Sequence, residues 1–207
     1  IITLNEEEHL KCLLSDLDFA DEIVIIDSFS TDGTEIIAKT FPKVKFIQNK
    51  FENFSAQRNF AISQAKNDWI LFLDADEVLT PELKQEIIET LQNNQTYAAY
   101  FFARIFMFGN TVLSYSCNQM DKIFRLFNKK SAKYDEKRLV HEKLIVNGEI
   151  GFLKNKLIHH SYSSYDDYRE KIIFYGKFKA QEKFIKKVKP TLLENLNCRP
   201  IFEANVY

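Results

Sequence analysis

Trp69-Ile70-Leu71-Phe72-Leu73-Asp74-Ala75-Asp76-Glu77 decides how this chain is read: an apolar run ends abruptly in a cluster of acids. The same shape occurs earlier, where Ile23-Val24-Ile25-Ile26 stops at Asp27 and opens into Ser28-Phe29-Ser30-Thr31-Asp32-Gly33-Thr34. Short apolar runs bounded by polar residues read as buried strands of a parallel sheet. In an open α/β sheet, ligands bind beyond the carboxyl ends of the strands. Two strands tipped with carboxylates therefore predict a polar, acidic site along that edge.

Working outward, residues 1–92 alternate strand and helix signals. Ile1–Leu4 reads as the remnant of a first strand, and both termini are expected to be trimmed. Leu10, Leu13, Leu14 and Leu17 recur at helical spacing and predict an amphipathic helix over Glu6–Asp18. Ser30 or Thr31 is a cap for a helix holding Ile36, Ile37 and Phe41, which Pro42 ends before a third strand at Val44–Ile47. Asn53 or Ser55 caps a helix to about Lys66. Thr80-Pro81-Glu82 is a helix start, with a cap, proline at the first helical position and an early acid. This repetition predicts a mainly parallel, doubly wound sheet flanked by helices. After Asn93-Asn94 an aromatic run at Tyr97–Phe108, a strand at Lys122–Phe127 and turns at Gly148 and Gly151 read as an α+β elaboration of the same sheet. Helical signal returns from Tyr165 to Val188. The expected division is residues 1–160 as one domain, with 1–95 and 96–160 as its halves, and 161–207 as a C-terminal helical extension.

Composition narrows the class. The 207 residues are 45% hydrophobic and 28% charged, which is ordinary for a globular protein. A net charge of −1 gives no global footprint for nucleic acid, so none is expected as a partner. Cys12, Cys117 and Cys198 are far apart and lack metal-type spacing, which suits a reducing, cytoplasmic setting. No stretch approaches the ~20 apolar residues of a membrane span.

Asp74 and Asp76 form a D-x-D pair just past a strand end. Carboxylates so placed suit Mg²⁺ or Mn²⁺, completed by water and substrate phosphates. An isolated acidic tripeptide is more often simply solvated, and its position after a buried strand is what raises it above that. Asp27 reads either as a turn aspartate or as an acceptor for a base or ribose. Arg58, with Asn59, is either a surface pair or a guanidinium set against a diphosphate.

Together these pieces resemble family 2 glycosyltransferases with the GT-A fold. The matching segments are Ile1-Ile2-Thr3-Leu4-Asn5-Glu6-Glu7, Asp27–Thr34, Gln57-Arg58-Asn59 and Trp69–Glu77. They continue through Asp121, Phe124-Arg125-Leu126-Phe127, Val140-His141-Glu142 and His159-His160-Ser161-Tyr162, a set similar to the bacterial lipopolysaccharide-core glucosyltransferases. The resemblance implies that Thr3, Asn5, Glu6 and Asp27 line a nucleotide pocket, Asp27 against the base, and that Arg58 lies near the diphosphate. It implies Asp74 at the ribose or metal and Asp76 as metal ligand. Many members carry two adjacent aspartates where this chain has Asp27-Ser28, which leaves uracil, thymine and guanine open.

The implied reaction is inverting transfer of a hexose from a nucleotide sugar, UDP-linked by expectation, to a hydroxyl of an envelope glycan or lipid-linked acceptor such as lipopolysaccharide core. A divalent ion would neutralise the departing diphosphate. One carboxylate must take the acceptor's proton. Glu142 is the first choice for that base and Asp121 the second, each with a surface carboxylate as its plain alternative. His159 is a further metal ligand or diphosphate contact, or a structural histidine. Arg125 reads as alternating outward from a strand. The basic helix over residues 171–189 is either a solvated face or a peripheral contact with the inner face of the membrane. Two competing readings remain. One is a haloacid-dehalogenase-type phosphohydrolase with Asp74 as nucleophile. The other is a non-catalytic nucleotide-sugar-binding module.

Overall fold

A computed structural model describes residues 1–93, 96–114, 122–136 and 143–185. The first part alternates as the sequence predicts: β1 (Ile2–Thr3), α1 (Glu7–Asp16), β2 (Ile23–Asp27), α2 (Thr34–Lys39), β3 (Val44–Gln48) and α3 (Phe54–Gln64). β4 (Trp69–Leu71), β5 (Glu77–Leu79) and α4 (Pro81–Asn93) follow. Then come β6 (Ala99–Phe108), β7 (Thr111–Val112), β8 (Lys122–Asn128), β9 (Ala132–Tyr134), β10 (Leu144–Val146), β11 (Ile150–Tyr162) and α5 (Tyr165–Ile185).

The helix signals act locally as read. Leu10, Leu13 and Leu14 of α1 are buried, with Leu17 just past its end. Asn53 caps α3, its side chain accepting from Ala56 N at 2.9 Å. Thr80 Oγ1 accepts from Leu83 N at 3.1 Å ahead of Pro81. One cap differs: α2 begins after Gly33, and Ser30 and Thr31 are spent elsewhere.

Pairing departs from a mainly parallel sheet. β1, β2 and β3 form a parallel three-stranded sheet. The larger sheet runs β4-β8-β6-β11-β5, and in it only β6 and β11 are parallel. The connection from β4 to β5 is a short turn, whereas parallel neighbours need a crossover of about a dozen residues or more. β4 therefore takes the distant β8 as an antiparallel partner. Gly151, expected in a turn, instead lies in β11, where a Cβ would come within 2.6 Å of the Tyr100 ring. A core of α1, α4 and strand residues, including Leu13, Ile25, Leu73, Leu83, Phe102 and Leu126, joins the two sheets. A second core beneath α3 holds Ile26, Phe72, Phe127 and Tyr134.

Candidate active site

The carboxyl ends of β1 and β2 are bound to each other by their own loops. Asp27 is wholly buried; its carboxylate accepts from Thr3 Oγ1 at 3.0 Å, Ser30 Oγ at 2.5 Å and Ser30 N at 2.8 Å. Asn5 Oδ1 accepts from Thr31 N at 2.8 Å, and Asn5 N donates to Ser30 Oγ at 2.8 Å. The Asp27 oxygens are thus engaged within the loops and closed to solvent. Thr3 and Asp27 are buried in the site's wall, while Asn5 is exposed beside them.

The D-x-D segment follows β4 and runs into β5. Both oxygens of Asp74 meet a guanidinium. Arg58 Nη2 donates to Oδ1 at 2.9 Å, and Arg125 Nη2 donates to Oδ2. The same Arg125 nitrogen donates to Glu77 Oε1 at 2.6 Å, while Asp74 N donates to Glu77 Oε2 at 3.0 Å. Arg104 closes the network with Nη1 3.7 Å from Glu77 Oε1. Burial opposes Asp74's charge, but Arg125 and Arg58 outweigh it and hold the carboxyl far below the usual carboxylate range. Asp74 thus anchors the turn through two guanidinium groups. Arg58 is buried against Phe72 and Tyr134, with Cζ 4.7 Å and 5.5 Å from their ring centres, and it holds Asp74.

Asp76 points elsewhere. β5 and β11 pair antiparallel with Glu77 opposite His159, and His160 N donates to Asp76 O at 2.9 Å. That register brings Asp76 Oδ2 to 3.2 Å from His159 Nε2. Ser161 Oγ lies 3.3 Å from His159 Nδ1, and its hydroxyl serves either tautomer of the ring. Burial raises the Asp76 carboxyl, and the hydrogen bond and charge of His159, joined by the charge of Lys171, together leave it below the ordinary value. Glu6 has no capping bond on α1. Burial first, then the charges of Asp76, Asp74 and Asp32 against that of Lys171, push its carboxyl up to about 7. Glu6, Asp76 and His159 are thus brought together, as the sequence predicts for three of its site residues.

The chemistry of these groups fits a hard dication. Among the described residues no group of three or more His, Cys, Asp and Glu side chains is placed to hold a metal ion. Asp76 and His159 would supply two protein ligands, and Mg²⁺ sites commonly add water and substrate phosphate to one or two carboxylates.

Arg125 is the functional residue the sequence reading misses. It is not turned outward but is 1% exposed and at the centre of the charge network. The missed signal is that Arg125, Leu126 and Phe127 are consecutive and all buried. A strand covered on both faces has no outward positions. Lys171, counted with the basic helix, turns inward and donates to Ser161 O at 3.0 Å. Glu142 and Asp121 lie outside the described residues, as do positions 186–189 of the basic helix.

A family model described as glycosyl transferase family 2 matches residues 1–153. The chain belongs to that family. An uncharacterised glycosyltransferase of Rickettsia typhi is 32% identical over 193 residues, covering 88% of this chain and 66% of its own length. The chain thus spans about two thirds of the length of these curated relatives. The lipopolysaccharide core biosynthesis glycosyltransferase LpsC of Rhizobium meliloti is 26% identical over 213 residues, covering 100% of this chain and 78% of its own. Among solved structures, S. aureus TarS 1–349 superposes with a TM-score of 0.57 at 17% identity, over 94% of this chain and 75% of that one. The GT-A fold expected from the resemblance is therefore shown. The phosphohydrolase reading falls on family membership, and also because a nucleophile needs a free oxygen where Asp74 has a guanidinium on each. No helix among the described residues is long and apolar enough to cross a membrane.

Proposed function

We propose that this family 2 glycosyltransferase moves a hexose from a UDP-linked donor, with inversion, to a hydroxyl of an envelope glycan or lipid-linked acceptor such as lipopolysaccharide core. The observation that carries the reading is the Asp76–His159 pair, 3.2 Å apart at the acidic edge and backed by Glu6. UDP is supported by TarS, crystallised with UDP, which superposes at a TM-score of 0.56 and 18% identity over 87% of this chain and 63% of that one. The acceptor class is supported by the likeness to LpsC.

Asp76 and His159 would hold Mg²⁺ or Mn²⁺ together with the donor's diphosphate. When bound, the ion neutralises charge that develops on the departing diphosphate. Asp74 stays ionised between Arg58 and Arg125, which fixes the turn presenting Asp76. Glu142, or failing it Asp121, takes the acceptor's proton. Residues 1–95 form the donor half and 96–160 the acceptor half, with residues 161–207 as an extension. Peripheral membrane contact through residues 171–189 is supported by Ile173 and Phe174, 52% and 46% exposed near the exposed Lys177.

Hydrolysis of UDP-sugars with Mn²⁺ tests the assignment. The wild type should release UDP slowly, and Asp76→Ala should abolish both that turnover and Mn²⁺-dependent stabilisation by UDP while remaining folded. An Asp76→Ala protein that keeps Mn²⁺-dependent turnover sinks the metal assignment. A Glu142→Gln protein that still transfers moves the base to Asp121.

A further inference from the structure

The loop after β2 carries an unusual residue. Phe29 adopts φ 63°, a left-handed conformation that a bulky side chain avoids, and it is 54% exposed. Such strain persists where the surroundings over-determine it, and it gathers at ligand sites. The surroundings here do so. Asp27 grips both the backbone and the side chain of Ser30, the next residue, and Ser28 N donates to Thr3 O at 2.9 Å. A wholly buried carboxylate is thus spent on holding one exposed aromatic ring at the carboxyl edge of β2.

A second exposed apolar residue lies on the neighbouring segment. Leu4 is also 54% exposed. It lies between Thr3, bonded to Ser28, and Asn5, whose N–H bonds Ser30 Oγ, so the two segments run side by side at this point. Asn5 itself has φ 56°. Both strained residues therefore flank the place where Leu4 and Phe29 emerge. Glu6, two positions on from Leu4, faces Asp76 and Asp74, so the apolar pair adjoins the acidic edge.

We propose that Phe29, with Leu4 beside it, is the platform on which the donor's nucleobase lies, and that Asp27 acts on the base only by holding this platform. The inference rests on the donor reading above. A flat ring stacks on an aromatic face without needing a hydrogen-bond partner, and next to Phe29 the side chains of Thr3, Asp27 and Ser30 already bond one another. The diphosphate would then extend from the platform toward Asp76 and His159.

Calorimetric binding of UDP, GDP, dTDP and inorganic pyrophosphate with Mn²⁺ tests this on wild type, Phe29→Gly and Phe29→Tyr. Glycine adopts positive φ freely, so Phe29→Gly removes the ring while relieving the strain, and its melting temperature should hold or rise. Loss of base stacking should weaken the preferred nucleoside diphosphate about 5- to 150-fold. Pyrophosphate, which has no base, should bind Phe29→Gly as it binds wild type, and Phe29→Tyr should restore the nucleotide. With diamagnetic Mg²⁺ in place of Mn²⁺, wild-type binding should also move the base protons upfield by ring current, a shift absent in Phe29→Gly. Equal nucleotide affinity in Phe29→Gly overturns the platform alone, and so does a parallel loss of pyrophosphate. A wild type that binds no nucleoside diphosphate overturns the donor reading and the platform with it.

Discussion

One terminal nitrogen of Arg125 joins Asp74 to Glu77, two acids that flank the D-x-D turn. Burial works against the Arg125 charge, but these two carboxylates outweigh it and keep the guanidinium cationic. Removing one partner from a buried ionic network strands the others. Arg125→Met should therefore destabilise the fold by about 3–5 kcal/mol in urea unfolding. Arg125→Met combined with Glu77→Met should recover part of that loss, because Arg58 still compensates Asp74, while Arg104 loses Glu77 as a partner and keeps the recovery incomplete. Losses that simply add would show that the pair is not coupled. Arg125→Lys should fall between, since a compact ammonium replaces a planar fork. The sequence could not display this role. A single arginine between Phe124 and Leu126 fits an alternating strand as well as a fully buried one, and only the partners of β8 decide between them.

At the scale of elements, legibility follows the distance over which the causes act. Asn53, Thr80 and the leucines of α1 act within a turn or two of themselves, and each helix they define is present with ends shifted by a residue or two. Strand partners act over longer separations: β4 pairs with β8, and β5 with β11. The apolar run Trp69–Leu73 names a strand without naming its neighbour, so a parallel sheet was the default reading and a mixed one is the outcome. Glu77-Val78-Leu79 was legible only as the tail of a motif, although as β5 it puts His159 beside Asp76. A similar long-range device is Asn59. From α3 its side chain pairs with the backbone of Tyr134, donating to O at 3.0 Å and accepting from N at 2.9 Å, much as a strand would. Asn59→Ala leaves both backbone groups without that partner and should cost about 1–3 kcal/mol in unfolding free energy. Asn59→Asp should cost more, because a carboxylate would face a carbonyl. A neutral Asn59→Ala would mean that water replaces the side chain there.

For the whole molecule, the site exists only when both parts of the chain are folded together. Glu6 comes from the β1–α1 connection, Asp74 and Asp76 from the β4–β5 turn, His159 from β11 and Lys171 from α5. Glu6 records that assembly as a proton affinity. Its carboxyl rises from 4.5 to about 7 through burial and the charge of Asp76, with Asp74 and Asp32 adding and Lys171 opposing. The folded state thus binds this proton more tightly than the unfolded chain does. The Glu6 contribution favours folding below about pH 4.5 and is lost as pH climbs through about 7. Glu6→Gln, which cannot ionise, should therefore equal the wild type in melting temperature near the lower pH and exceed it above the higher one, with chelator present. A dication beside Asp76 would invert that order, because it rewards the ionised carboxylate that the bare site penalises. With Mn²⁺ and UDP above neutral pH, the wild type should then be the more stable protein. If Glu6→Gln keeps its advantage in Mn²⁺ and UDP, Glu6 does not face the cation, and the acidic edge is organised around Asp76 and His159 alone.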